Sequence, residues 1–500
     1  MDLKKLIEEP QFWVWIIFIL VLALRLYIVF QTPYFNYDAY YTLRQVDHIK
    51  STGLPLYNDP LSFGGKTQLF APLHYYVLSL FSFVMPLDIA AKIIPNICAA
   101  LLVLIVFSIA LKVTKHPKIS ALAAFMSGFL PIMFLNINNV SVEYIGALLM
   151  FSIVYCIFRI NERKYIDYAL ILMFVLVLTT PLAFLLVVGL LLYLLLLKLE
   201  NVYIEMKELE IILFFTFLVF WVNLLIFKNA FLIHGFLVVW QNIPTQILAN
   251  FFDKITFLEI FIMISIIPLI IGLYSMYIVF QKDKSKEAML LTAFTIAAFV
   301  LTWFKLLDLV TGIVFMSISL VMLASFGMKD IFLFMEKTKF YRYTKLMLAI
   351  VIILFIATAI IPSYIIGADR SRITPSTDDI KVLQWASQHV PANATMAASL
   401  EEGNIIAYYA KRKNALDTNF LLVPHIDQRL KDMETIYTTQ FETEAVRSLN
   451  KYHAQYLLVT PWTVNKYHIN ELSYLYELDC FSRIDYSGNT SLYITTCEVK

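Results

Sequence analysis

The stretch "FNYDAYYTLR", residues 35–44, sets one carboxylate, Asp38, among aromatic side chains directly after an apolar run of membrane-spanning length. A carboxylate so placed can take a proton from an attacking group, or share a divalent cation with phosphate oxygens. A second acid, Glu143 in "NINNVSVEYIGALL", opens another apolar run. Charge costs about 2.5–3.5 kcal/mol at a bilayer centre and less at its edge, so acids bordering spans are candidates for function. Two oxygen ligands completed by water and substrate phosphate are a minimal Mg2+ or Mn2+ site, and Asp38 and Glu143 are the pair expected to supply them. Arg44 and Lys66 are the cations expected to neutralise phosphate. His74, Tyr40 and Tyr41 complete the candidate substrate surface. Asp47, Asp59, His234, Asp253 and Asp308 lie on the same side and are expected to serve structure.

The elements that must position these groups follow from composition. The chain has 500 residues, 60% hydrophobic and 15% charged, with a mean hydropathy of +0.73, which reads as a polytopic helical membrane protein. At 1.5 Å per residue a span needs about 17–25 apolar residues. On that ruler about eleven helices are expected, near 12–30, 93–111, 119–138, 142–158, 165–180, 181–198, 210–227, 257–280, 288–304, 307–326 and 345–366. The first is read as a retained helix, since its apolar run is long and lacks a small-residue cleavage site. With the N-terminus in the cytoplasm, the clusters at Lys112–Lys118, Arg159–Lys164, Lys198–Lys207, Lys282–Lys286 and Lys329–Lys345 all fall inside. That agreement requires "APLHYYVLSLFSFVMPL", residues 71–87, to lie in the outer leaflet without crossing.

Residues 1–366 are therefore expected to form a transmembrane domain with outer loops 31–92 and 228–256. Residues 367–500 are expected to form an extracytoplasmic α/β domain, because helix-like stretches there alternate with "YLLVT" and "SLYITT". Cys98 and Cys156 sit in apolar runs as small buried hydrophobes. Cys480 and Cys497 lie in the polar tail, where a bond between them is open. No G-x-G-x-x-G, P-loop, H-E-x-x-H, C-x-x-C or G-x-S-x-G occurs, so nucleotide, zinc and serine-hydrolase chemistries have no support. No basic run suggests nucleic acid. An outward-facing acidic site has no access to cytoplasmic nucleotides, so a transferred group must arrive on a carrier such as a lipid phosphate.

The segment "YDAYYTLRQVDHIKSTG" resembles the first outer-loop motif of the oligosaccharyltransferase catalytic subunits, the archaeal AglB type included, within the GT-C superfamily of membrane glycosyltransferases. Asp38, Tyr40, Tyr41 and Arg44 keep its spacing, with Ala39 in place of the usual proline. Glu143 aligns with the last acid of the family's second-loop pair, whose first acid is Ser141 here. "SLEEGNIIAYYAKRKNALDTNFL" resembles the segment around the WWDYG motif. Gly403 falls on its glycine, Ser399 and Leu400 replace the tryptophans, and Glu401 holds the acid position. Glu401, Glu402 and Gly403 are thereby expected on the acceptor side. The loop 228–256 lacks the family's further metal-binding Glu, with Gln246 and Asp253 as the nearest polar residues.

The resemblance implies a GT-C fold, a divalent metal at Asp38 and Glu143, and transfer of a sugar or oligosaccharide from a polyprenyl (dolichyl) phosphate or diphosphate to an extracytoplasmic acceptor. The expected partners are that lipid-linked donor, membrane lipid and a glycan, lipid or protein acceptor. Protein N-glycosylation, a non-catalytic scaffold and a lipid-glycan transporter are the alternatives. The transporter would need charges in mid-span, and the spans are almost uncharged beyond Arg25.

Overall fold

A computed structural model describes residues 10–253, 255–281, 284–469, 472–475 and 480–498. Lys282 and the residues before Pro10, used above for orientation, lie outside them. The described chain forms two compact units. One comprises Met1–Thr32, Ala71–Ile226 and Phe251–Arg372, the other Pro33–Phe70, Phe227–Asn250 and Ile373–Lys500.

The first unit is helical and belongs to a multi-pass membrane protein. Among the described residues, 7 helices are long and apolar enough to cross a bilayer, or up to 8 if a bent pair is one span. Their outward faces carry Trp13, Ile19, Phe217, Trp221, Ile353 and Leu354 exposed, a surface that water would not tolerate and lipid does. Helix Leu309–Glu336 runs through the interior and buries most of its length. Its contacts use small residues: a Cβ on Gly272 would come within 2.9 Å of the Leu320 carbonyl, and one on Gly327 within 3.0 Å of the Ile271 carbonyl. Without a hydrophobic drive between helices in lipid, such close approach is what holds them together.

Every expected span contains helix, and several differ in form from a single straight span. Glu143–Ile157, Arg163–Thr179 and Ala183–Leu199 are short, with 15, 17 and 17 residues. The segment 257–280 is not one straight helix. Phe257–Ile264 and Ile266–Gln281 meet at 85°, because Ser265 takes φ 70° and breaks the hydrogen-bond ladder. Pro268 is tolerated in the new first turn, where its missing N–H has no partner to lose. Helix Leu73–Ser82 has 10 residues, too short to cross at 1.5 Å per residue.

Arg25 is buried in this unit, and among the described residues no salt bridge joins it to a carboxylate. Its Nε donates to Asn96 Oδ1 at 2.9 Å and Nη1 to the Met133 carbonyl at 2.8 Å. The guanidinium lies over the rings of Phe134 and Tyr144 at 5.0 and 4.7 Å. Aromatic faces and oriented carbonyls thus stand in for water around the charge.

The second unit is built on a five-stranded sheet. Antiparallel β1 (Asn58–Asp59) and β2 (Lys66–Thr67) form a separate small ribbon. The sheet itself contains β3 (Thr395–Ala397), β4 (Lys413–Asn414), β5 (Ala454–Val459), β6 (Phe481–Ser487) and β7 (Thr490–Thr495), in the order β4-β3-β5-β7-β6. The β3 pairings are parallel, and β7 is antiparallel to both neighbours. Leu416, Met433, Ile436, Tyr437, Leu449, Leu457 and Phe481 fill its core, and Phe63 and Ile247 pack on that core from the two loops. Cys480 and Cys497 are disulfide-bonded.

Candidate active site

Helix Ala39–Thr52 presents Asp38. Its Ala39, Tyr40, Leu43, Val46 and Ile49 are buried, the i, i+3, i+4 stripe that seats an amphipathic helix. Gly53 closes it at φ 80°, its N–H returning to the Ile49 carbonyl, a conformation that suits glycine. Asp38 stands exposed at the helix start. Thr418 Oγ1 donates to its Oδ1 at 3.0 Å, and Asn404 Nδ2 donates to the same threonine oxygen at 3.2 Å. This Asn404–Thr418–Asp38 chain fixes one carboxylate oxygen.

The residues next to Asp38 in sequence pack among aromatic rings. Tyr40 is buried with its ring centroid 5.3 Å from each of Tyr408 and Tyr409, and burial holds its hydroxyl far above the phenol range, so it stays protonated. Tyr37 packs on Trp462 at 5.0 Å. Trp462 Nε1 and Lys466 Nζ both donate to Glu401 Oε2, at 3.4 and 2.6 Å. Tyr41 meets Phe70 edge-on, and Phe70 stacks on Tyr57.

The expected phosphate cations are already engaged. Arg44 forms a bidentate bridge to buried Asp59, with Nη1 2.7 Å from Oδ2. Asp59 also accepts from the Leu61 N–H at 2.9 Å and Gln68 Nε2 at 3.0 Å. Lys66 donates to Asp417 Oδ1 at 3.4 Å and to the Asn419 carbonyl. Burial lowers Lys66 to about 8, with Asp417 opposing the shift. Asp417 further takes Ser62 Oγ and Asn414 Nδ2. These two carboxylates thereby pin the loop 54–68 and the segment carrying Thr418. The Tyr40–Tyr409 and Asp38–Thr418 pairings span 369 and 380 residues of sequence, whereas Asp59 pairs locally, with Arg44 15 residues away.

Gly403 is required by a close approach, since a Cβ there would lie 2.0 Å from the Leu416 carbonyl. Glu402 is buried, and it accepts from the Ser399 N–H at 3.1 Å, Ser399 Oγ at 2.6 Å, Thr463 Oγ1 at 2.8 Å and Thr460 Oγ1. Burial raises its pKa against those donors. It therefore faces the interior of the sheet unit, and Glu401 is the more accessible of the two acids.

In the membrane unit Glu143 starts helix Glu143–Ile157. Its Oε1 accepts from Thr311 Oγ1 at 2.5 Å, its Oε2 from Asn136 Nδ2 at 3.1 Å, and its N–H donates to Ser141 Oγ. His74, also in this unit, is buried, and burial pushes its pKa down to about 4. It is neutral near pH 7 and brings no charge to a phosphate. Asp38 and Glu143 thus belong to different units. Among the described residues no group of three or more His, Cys, Asp or Glu is arranged to hold a metal ion.

The sequence singles out Asp38 but not Thr418, which donates to it, nor Asn404, which donates to Thr418. Thr418 and Asn404 sit inside the stretch that resembles the acceptor motif, yet only folding closes the 380-residue separation of Asp38 and Thr418.

No family model and no curated protein matches the chain. Solved structures do. The archaeal oligosaccharyltransferase AglB from Archaeoglobus fulgidus, in complex with an inhibitory peptide and a dolichol-phosphate, matches with TM-score 0.67 and 14% identity, covering 90% of this chain and 69% of that one. A structure of the Archaeoglobus fulgidus oligosaccharyltransferase in complex with Zn and sulfate matches with TM-score 0.67 and 14% identity over 96% and 73%. ArnT from Cupriavidus metallidurans bound to undecaprenyl phosphate matches with TM-score 0.56 and 13% identity over 96% and 97%. The chain has an AglB-like GT-C fold.

Proposed function

We propose that the chain is a GT-C glycosyltransferase that moves a sugar or oligosaccharide from a polyprenyl phosphate or diphosphate to an acceptor outside the cytoplasm. The observation that carries this reading is the exposed Asp38 carboxylate, held by Thr418 at the start of a buried-face helix, in a chain whose fold is shared with proteins solved with dolichol-phosphate and undecaprenyl phosphate. The acceptor's nucleophile attacks the anomeric carbon while the bond from that carbon to the lipid phosphate oxygen breaks. The phosphate oxygen keeps the electron pair, and Asp38 accepts the nucleophile's proton. Phosphate leaves as a stable anion, so the leaving group needs no separate acid. Tyr40 and Tyr41 supply faces for a sugar ring, and Arg44 acts by holding the loop 54–68 through Asp59.

The metal that the resemblance implies fits neither unit taken alone. Asp38 Oδ1 accepts from Thr418 and the two Glu143 oxygens accept from Thr311 and Asn136, and among the described residues no group of three or more His, Cys, Asp or Glu is arranged to hold a metal ion. No step is drawn through a metal. The orientation favoured is N-terminus inside and residues 367–500 outside, supported by the basic clusters and by the Cys480–Cys497 disulfide, a bond that persists in oxidising compartments. Helix Leu73–Ser82 and the residues after it leave Leu80, Phe83 and Val84 exposed, an apolar tip suited to the outer leaflet beside a lipid donor.

The test is Asp38→Asn in cells and in purified protein. Loss of the chain's glycan product with normal accumulation of the protein supports the reading. Unchanged product from a stably accumulating variant overturns it. Incubation with lipid-linked glycan and a sequon peptide then assigns the acceptor, since glycopeptide formation makes the chain an oligosaccharyltransferase.

A further inference from the structure

The sheet unit holds a cleft of about 460 Å³ that the reaction above does not use, lined by Phe63, Asn393, Lys413, Arg429, Tyr452 and Gln455 among others. No Asp or Glu lines it, whereas Lys413, Arg429, Lys451 and His453 all do. Lys451 is paired with Asp432 at 2.9 Å. Among the described residues, the salt bridges of this unit engage Arg44, Lys66, Lys381, Lys451 and Lys466, and neither Lys413 nor Arg429. Among the described residues, the cleft therefore carries two cations, Lys413 and Arg429, that no salt bridge joins to a carboxylate.

Arg429 is held for presentation. Its guanidinium sits 5.2 Å from the Phe63 ring and 5.0 Å from the Tyr452 ring. Nη1 donates to the Ala415 carbonyl at 3.3 Å, and Nε is buried without a hydrogen-bond partner. Phe63 is itself kept in an uncommon conformation, φ 50°, directly before Gly64 and Gly65 at φ 79° and 110°. Its N–H is fixed by Asn414 Oδ1 at 2.6 Å. A left-handed phenylalanine is strained and persists only where its surroundings over-determine it, which is common at ligand sites. The same ring and Arg429 wall a second cleft of about 360 Å³, which contains Lys66 and Thr67.

We propose that the larger cleft binds an acidic saccharide, a sugar bearing a carboxylate. Arg429 and Lys413 take the carboxylate, Phe63 and Tyr452 offer ring faces to the pyranose, and the amides of Asn393 and Gln455 meet its hydroxyls. The volume lies in the range of small-molecule sites. A lone phosphate would satisfy the cations and leave the rings and amides unfilled. The inference goes beyond the transfer reaction, because it places a glycan-recognition site away from Asp38 within the same unit.

The test measures binding of trigalacturonate, maltotriose and inorganic phosphate to the full-length protein in lipid nanodiscs, by calorimetry at low and high salt. Trigalacturonate should bind, more weakly as salt rises, and at least about tenfold more tightly than maltotriose or phosphate. Lys413→Gln and Arg429→Gln should each weaken it about tenfold, and Asp38→Asn should leave it unchanged. Lys413 is part-exposed at a sheet edge, so its variant remains informative if Arg429→Gln fails to fold. The proposal is overturned if trigalacturonate does not bind up to about 10 mM, if Lys413→Gln leaves its affinity unchanged, or if phosphate binds as tightly. Loss of binding in Asp38→Asn would overturn it too, by moving the sugar to the transfer site.

Discussion

Asp38 and Glu143 both open helices after apolar sequence, yet their surroundings differ. Asp38 is exposed and its Oδ1 takes one neutral hydroxyl, from Thr418. Glu143 is part-buried, with one oxygen on Thr311, the other on Asn136 and its own N–H on Ser141. A carboxylate that must accept a proton needs access to the attacking group. A carboxylate whose acceptor sites are filled from two neighbouring elements joins them together. On the proposed reading, the first carries the reaction and the second positions its neighbours.

Substitution can break that contrast. Asp38→Asn should lower turnover by about 10²–10⁴, the range for losing a general base, and Glu143→Gln by less than about tenfold, since Gln keeps one acceptor for Thr311. Equal losses would erase the distinction. Asp59→Asn should lower stability by about 3–5 kcal/mol, because it leaves the Arg44 charge without its buried partner; thermal unfolding in detergent reads the change. Asp38 itself is untouched, so turnover by the folded fraction should fall far less than in Asp38→Asn.

His74 sharpens the comparison through pH. Its folded pKa lies near 4, below the unfolded value of 6.5, so the unfolded chain binds the proton first as pH falls. The stability contribution is complete above about 6.5 and is lost on acidification toward about 4, amounting to no more than about 3 kcal/mol. His74→Phe should flatten the unfolding profile across that window, and an unaltered profile would contradict the buried neutral imidazole. Thr418→Val should cost about tenfold in turnover with stability nearly unchanged, since it frees one oxygen of an exposed carboxylate.

Much of this was legible beforehand. Spans are written in uninterrupted apolar length, so each expected segment contains helix, and the Asp38 motif is local in sequence. The 85° bend at Ser265 was not readable, because a single non-glycine residue at positive φ leaves no mark in composition. Nor was the engagement of Arg44 and Lys66, whose carboxylates lie 15 and 351 residues away. Long-range pairing decides whether a cation is free for phosphate. Glu402 illustrates the same limit: beside Glu401 it reads as one acidic pair, while folding buries one under Thr460 and Thr463 and leaves the other paired with Lys466 at the unit's edge.

The central claim, that sugar arrives on a lipid phosphate, is tested most directly by supplying purified wild-type protein in nanodiscs with radiolabelled sugar on polyprenyl phosphate, on polyprenyl diphosphate or on a nucleotide, with native membrane extract as acceptor. The account predicts label transfer from a lipid-linked donor, abolished by Asp38→Asn. Transfer from the nucleotide sugar with none from either lipid would contradict it.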